Sequence, residues 1–349
     1  MKIGIIGGSL AGLVAGDKLA KAGHDVMIIE KNRSLGGRLA TQTFEGGFFD
    51  DGFPYLSADG DAFKSFIDDF IEKQILFPWA DDIPHHDGAH PHKLNRDRRE
   101  VEYYASANGL NSIANYLKRW VDIKFKEQAG GLTYIGPDRG KKRSWMVNLT
   151  DISVYECDAV IIATPATQAY GLLQTAQDET AVLRLIRVID EVHYKPRFVL
   201  MASCDIETPS WKGITCSNSD LSWLGNETSK SEKQQRTNIA IHSSARFAHK
   251  HVESNKSHVK RLLLERAAEV ADESQIQDAD PTFLHHWKYY QATKTIDKDY
   301  MELEMEDAPL ALIGDYFKGN TADAAYNSAI KLANHWIEKY SVPEMNTIH

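Results

Sequence analysis

A small set of residues near the start of the chain has the types and spacing to grip a diphosphate. Gly7, Ser9 and Gly12 follow the apolar run Ile3-Gly4-Ile5-Ile6, and Glu30 closes a second apolar run, Val26-Met27-Ile28-Ile29. A glycine at position 7 makes the tight turn off a strand. Gly12 lets the following helix lie close to the sheet. The unpaired N–H groups of that helix's first turn, around Ser9, Leu10 and Ala11, suit a pyrophosphate. Glu30 is placed to accept from ribose hydroxyls, with Lys31 beside it, and its charge disfavours a 2′-phosphate. Serine at position 9 replaces the middle glycine of G-x-G-x-x-G. Its small side chain is tolerable there, and its hydroxyl is expected to donate to phosphate.

Gly36-Gly37-Arg38 adds a second grip. Two glycines let the backbone pass close to a ligand, and Arg38 supplies a fixed cation for the pyrophosphate. A nicotinamide dehydrogenase has no need of this element, so the combination points to non-covalent FAD. These stretches resemble the flavin-containing amine oxidoreductase superfamily, which includes monoamine and polyamine oxidases and renalases.

The elements that must position these residues read as follows. Residues 2–38 form a strand–turn–helix–strand unit. Residues 61–76 and 108–120 carry helical periodicity, and 121–125 reads as a strand. Strands near 132–135, 144–149 and 153–156 form a meander turning at 136–142. Cys157 to Ala163 reads as a buried parallel strand. Helices follow at 171–190 and 252–271, a last apolar strand at 310–313 and a closing helix at 322–340. Thr228 to Arg236 is polar and reads as a mobile loop. The expected fold is α/β: a discontinuous Rossmann-type FAD-binding domain (1–53, 105–165 and 308–340) with an inserted α+β substrate domain (54–104 and 166–307) and a tail at 341–349.

Composition narrows the partners. The chain has 349 residues, 42% hydrophobic and 26% charged, with a formal net charge of −9. No long basic run invites nucleic acid. No apolar run reaches the length of a membrane helix, and no leader pattern opens the sequence. Three cysteines without metal spacing suit a reducing cytoplasm. His85, His86, His90 and His92 fall in one irregular tract, but without fixed ligand spacing, so no metal is expected.

Within the superfamily the chain is most similar to bacterial renalase-like proteins. Five stretches carry this: the N-terminal motif with Gly36-Gly37-Arg38; Asp50-Asp51-Gly52-Phe53-Pro54-Tyr55, similar to a family D-x-G-A-Q-Y; Trp223-Leu224 with Ser229-Lys230; Ile241-His242-Ser243-Ser244; and Gly314-Asp315-Tyr316 with Ala325-Tyr326-Asn327-Ser328. The resemblance implies that Pro54, Tyr55, Gly314, Asp315, Ala324 and Ala325 line the flavin. The acid at the end of the last strand suits ribityl or phosphate-linked hydroxyls, and the helix start beyond it suits an anionic reduced flavin. It also implies an oxidase that takes a hydride from isomeric (2- or 6-) dihydronicotinamides, returns NAD(P)⁺ and reduces O2 to H2O2.

Departures from the family bear on activity. Pro54 stands where the family has glutamine, and Ala324 stands where it has glycine. Phe198-Val199-Leu200-Met201 offers no counterpart to the lysine that monoamine oxidases place near flavin N5. His242, Trp287 and Tyr289 are the expected catalytic residues, as walls and a polar contact for a flat donor. Trp223, Tyr290 and Tyr316 complete the candidate pocket, whereas His285 and His286 read as structural. The rival readings are an amine oxidase or desaturase of the same superfamily, and an FAD-binding protein without turnover.

Overall fold

The computed structural model describes residues 1–44, 47–88, 101–136, 143–176, 181–232, 236–303 and 308–340. They fall into two units. The first comprises Met1–Gly37, Ala114–His193 and the described part of 292–349; the second comprises Arg38–Ile113 and Tyr194–Gln291.

The first unit is built on a six-stranded sheet in the order Met301–Leu303, Leu310–Leu312, Ala159–Ile162, Lys2–Ile6, Asp25–Glu30, Asp122–Phe125. All neighbours are parallel except Met301–Leu303, which runs antiparallel along one edge. Ile3, Ile5, Ile28, Val160, Ile161 and Ile162 are fully buried, as continuous apolar runs in a parallel sheet must be. The helices Leu10–Lys21 and Ala322–Lys339 pack on one another, and Trp336 of the second is fully buried. Ala129–Tyr134, Trp145–Leu149 and Val154–Cys157 form the expected antiparallel meander.

The second unit holds another six-stranded sheet: Asp280–Ala292, Tyr194–Cys204, Thr237–Ser243, Leu221–Asn226, Gly213–Cys216, His85–His86. Side chains alternate between its two faces. One face, with Phe198, Leu200, Ile239 and Ile241, is covered by the helices Ala245–Lys250 and Lys256–Ala271. The other face carries Val199, Met201 and Ala240. The hairpin Thr41–Phe44 with Gly47–Asp50 lays Phe49 against it, and Phe283 and Trp287 pack alongside.

Two expected boundaries move. Residues 166–193 belong with the first unit, because the helices Ala166–Gln174 and Val182–Ile189 pack beside the meander. Thr175 Oγ1 accepts from Leu132 N there at 2.7 Å. Residues 38–53 belong with the second, because their hairpin seals its sheet. The stretch expected to be helical at 171–190 holds parts of two helices, Ala166–Gln174 and Val182–Ile189, whereas the helix expected at 252–271 is the single helix Lys256–Ala271. Residues 341–349, most of the 136–142 turn, and His90 and His92 lie outside the described residues. Among the described residues, no helix is long and apolar enough to cross a membrane.

Candidate functional site

In the first unit the nucleotide motif adopts the strand–turn–helix expected of it. Gly7 has φ +104°, a backbone conformation that L side chains rarely adopt. A Cβ on Gly12 would sit 2.1 Å from the carbonyl oxygen of Gly7, so only glycine lets the helix start this close to the turn. Leu10 and Ala11 are buried in the first turn of the helix, whose leading N–H groups have no partner within it. Gly36 N donates to Gly8 O at 2.7 Å, and Ser9 bridges to Gly36. The Gly36-Gly37 segment thus runs alongside the helix start. Thr164 Oγ1, shielded beside Gly7, makes no hydrogen bond among the described residues. Tight glycines, free first-turn N–H groups and an orphaned buried hydroxyl fit a bound dinucleotide phosphate. Gly12→Ala is therefore expected to cost about 1–3 kcal/mol by overpacking against backbone. Thermal denaturation and flavin content of the purified variant check this together.

The hydroxyl of Ser9 does not have the role its type suggested. Ser9 Oγ donates to Ala163 O at 3.1 Å, and a hydroxyl has one hydrogen to give. It ties the turn to the end of the neighbouring strand. Glu30 is 7% exposed, and its two oxygens accept from Gly8 N and Asn32 N, each at 2.8 Å. Each carboxylate oxygen keeps a further lone pair for a ribose hydroxyl. Lys31 is exposed. At the other end of the unit, Gly314 N donates to Ser328 Oγ at 3.2 Å, Asp315 is buried, and Thr321 caps the closing helix through Ala324 N. Ala324 is partly exposed and Ala325 buried at that helix start. Tyr316, expected in the pocket, is fully buried in this unit.

Arg38, Pro54 and Tyr55 belong to the second unit. Arg38 Nη1 donates to Tyr290 O at 2.7 Å, and its guanidinium lies over Phe53. Tyr55 meets Tyr103 and Trp223 edge to face at 4.7 and 5.1 Å and joins Trp79 in an aromatic cluster. Pro54 beside it is partly exposed.

The expected catalytic residues separate by burial. Trp287 and Tyr289 are partly exposed on Asp280–Ala292. His242 is fully buried on Thr237–Ser243, and neither ring nitrogen has a partner among the described residues. Burial, with Arg197 and Lys230 nearby, holds its pKa well below the ordinary histidine value, so the ring is neutral. Trp223 and Tyr290 are likewise buried. His85 is committed to Thr215 and Ser217, both at 2.9 Å. Among the described residues no group of three His, Cys, Asp or Glu is placed to hold a metal ion.

Two charged clusters escaped sequence reasoning. Asp50, Glu227 and Lys230 meet in the interior, with Lys230 Nζ 3.1 Å from Asp50 Oδ2 and 2.8 Å from Glu227; all three side chains are at most 1% exposed. Asp50 also accepts from Thr41 Oγ1 and Leu110 N at 2.8 Å. The segment Glu227–Lys230, which overlaps the start of the loop expected at Thr228 to Arg236, is a turn whose Glu227 and Lys230 are buried and pinned by these charges. The second cluster joins Asp51 to His285 and Trp287. The acid pair Asp50-Asp51, and Ser229-Lys230 beyond Trp223, were the visible signals.

Burial pushes the thiols of Cys157 and Cys216 up to about 12 and that of Cys204 to about 11. Native protein is accordingly expected to leave all three unreacted with Ellman's reagent near neutral pH, and to titrate them only after denaturation.

A family model described as an NAD(P)-binding Rossmann-like domain matches residues 5–70. Over 83 residues the chain is 36% identical to the 4,4'-diapophytoene desaturase (4,4'-diaponeurosporene-forming) of Staphylococcus aureus strain Newman, a match spanning 22% of this chain and 16% of the desaturase. Among solved structures, cyclohexylamine oxidase from Brevibacterium oxydans IH-35A shares the fold with a TM-score of 0.72 at 9% identity, covering 98% of this chain and 99% of its own. Putrescine oxidase bound to putrescine does so with a TM-score of 0.69 at 12% identity, covering 97% and 99%. The fold is mixed α/β with a Rossmann-like nucleotide domain.

Proposed function

We propose that the chain is an FAD-dependent oxidoreductase. It takes a hydride from a small planar donor and passes the electrons to O2, giving H2O2. The observation that carries this reading is the nucleotide turn: Gly7 and Gly12 in close approach, Glu30 bracing Gly8, and Gly36-Gly37 alongside the helix start. The first unit would hold FAD non-covalently through that turn and through Gly314 and Asp315, and the second would present the donor. The match to a Rossmann-like model and the fold shared with two amine oxidases support it. The cofactor supplies the redox chemistry; the chain binds, orients and manages protons.

The proposed donor is an isomeric dihydronicotinamide, on the renalase-like stretches and the missing lysine at Phe198–Met201. A second reading, oxidation of an amine, is favoured by the Asp51–His285 contact, because amine oxidation frees a proton. The experiment is a visible spectrum of the purified protein before and after anaerobic mixing. Yellow protein is expected, bleached by borohydride-generated 2- and 6-dihydro isomers and poorly by ordinary NADH. Bleaching by amines alone would move the assignment to the second reading. A flavin that no donor bleaches would mark an FAD-binding protein without turnover, with Pro54 and Ala324 the first residues to revert. Colourless protein that refuses FAD would sink the proposal.

A further inference from the structure

Among the described residues the second unit buries three acids, Asp50, Asp51 and Glu227. All are engaged: Asp50 and Glu227 hold Lys230, and Asp51 holds His285. Arg197 is left out of this pairing. It sits half-buried on Tyr194–Cys204, and among the described residues its side chain makes no ion pair or hydrogen bond. Its contact is with a ring instead: the guanidinium lies over Tyr290, 3.9 Å from the centroid. Tyr290 is itself fixed, because its hydroxyl donates to Gly52 O at 3.1 Å.

His242 shares this face of the sheet. It pairs with Val199 across the two strands, and Arg197 lies two positions before Val199, so Arg197 is a diagonal neighbour of His242. The His242 ring meets Tyr290 edge to face at 6.4 Å. It is neutral, so one nitrogen carries a hydrogen, and no acceptor meets that hydrogen among the described residues. Lys195, exposed and two positions before Arg197, adds a second cation on the same side. Stacking fixes the plane of the guanidinium and leaves its N–H edge open, a fork that matches two oxygens of a phosphoryl group. A half-buried charge without a counter-ion is costly, and a ligand that brings the counter-ion removes that cost.

We propose that Arg197 is a specificity residue of the second unit that receives a phosphoryl group of the donor, with His242 beside it. This rests on the donor reading above and narrows it: the donor is a phosphorylated dihydronicotinamide rather than its riboside. No bond is made or broken at Arg197. The phosphoryl oxygens accept from the guanidinium as a charge-assisted pair, and Lys195 adds a solvent-screened attraction. The bound charge also opposes the effect of the guanidinium on the neighbouring His242 ring.

Inorganic pyrophosphate is the probe, titrated at constant ionic strength into ¹⁵N-histidine-labelled holoprotein, with His242→Gln assigning the ring signals. Saturable movement of the His242 signals is expected. Arg197→Met should weaken pyrophosphate affinity about tenfold or more. Arg197→Lys keeps the charge and most of the stem but not the fork, and it should lose affinity too. Arg246→Met removes an exposed arginine already paired with Asp220, and it should bind as the wild type does. In turnover, the preference in kcat/KM for a dihydronicotinamide mononucleotide over its riboside should fall about tenfold in Arg197→Met. His242 signals that pyrophosphate leaves unmoved, wild-type affinity in Arg197→Met, or an undiminished preference would each overturn the proposal. So would movement with acetate and none with pyrophosphate. Colourless protein, or a flavin that no dihydronicotinamide bleaches, is a different failure: it removes the donor reading, while the pyrophosphate titration is still read on the protein alone.

Discussion

Replacing Lys230 with methionine is expected to destabilise the protein by about 3–5 kcal/mol, because it leaves Asp50 and Glu227 buried without their cation. The chain length and burial of methionine match the lysine stem, so the loss reports charge rather than volume. Burial alone would pull the Lys230 pKa down, but Glu227 and Asp50 push it above the ordinary lysine range, and the side chain is charged in the folded state. Glu227 moves the other way for an acid. Burial, with the charge of Asp50 adding and Lys230 opposing, pushes it above the usual carboxylate range.

The pH dependence follows from that upward shift. A protonated Glu227 favours the folded state. Its contribution is complete below the unfolded carboxylate pKa and is lost as pH rises from there through the raised folded value. Glu227→Gln removes the titrating carboxyl, so it is expected to flatten this slope. Urea denaturation of wild type, Lys230→Met and Glu227→Gln at several pH values measures all of this. A Lys230→Met variant as stable as wild type at neutral pH would show that the cluster holds no net charge in need of pairing.

Glu30→Ala is expected to act twice. Without ligand it strips Gly8 N and Asn32 N of their acceptor, and a hydrogen bond to a charged group contributes about 1.5–3 kcal/mol. With FAD present it also removes the acceptor proposed for the adenosine ribose, so affinity should fall tenfold or more. Isothermal titration with FAD, beside thermal denaturation of the apoprotein, separates the two effects. Lost stability with unchanged affinity would show that Glu30 braces the turn and the ribose is held elsewhere.

What the sequence made legible was local. The strand, the glycine turn, the helix and the acid at position 30 lie within one short segment, and each has a backbone reason to be where it is. Asp50, Glu227 and Lys230 lack that advantage: Lys230 reaches Asp50 across 180 positions. Glu227-Thr228-Ser229-Lys230 looks the same whether water or an internal partner satisfies it, so a buried turn reads as the start of a polar loop. The Asp51–His285 contact was equally hidden, because its two residues lie 234 positions apart. His242 shows the converse. Its strand was legible from Ile241-His242-Ser243, but alternation along a strand does not tell which face the rest of the chain will seal. The Ser9 hydroxyl was misassigned for a related reason: Ala163 O arrives from a strand 154 positions away.

The order of strands in the first unit also sets a timetable for synthesis. Lys2–Ile6 has Asp25–Glu30 on one side, but its other neighbour is Ala159–Ile162, which in turn awaits Leu310–Leu312. At ribosomal rates of roughly 5–20 residues per second, the stretch from Lys2–Ile6 to Ala159–Ile162 takes about 8–30 s. For that interval the nascent βαβ segment carries an apolar strand edge with no partner, the condition that invites mispairing with other chains. The second unit is enclosed between these segments, and its own last strand, Asp280–Ala292, emerges before Leu310–Leu312. The second unit can therefore finish folding first, while the first unit, begun earliest, closes last.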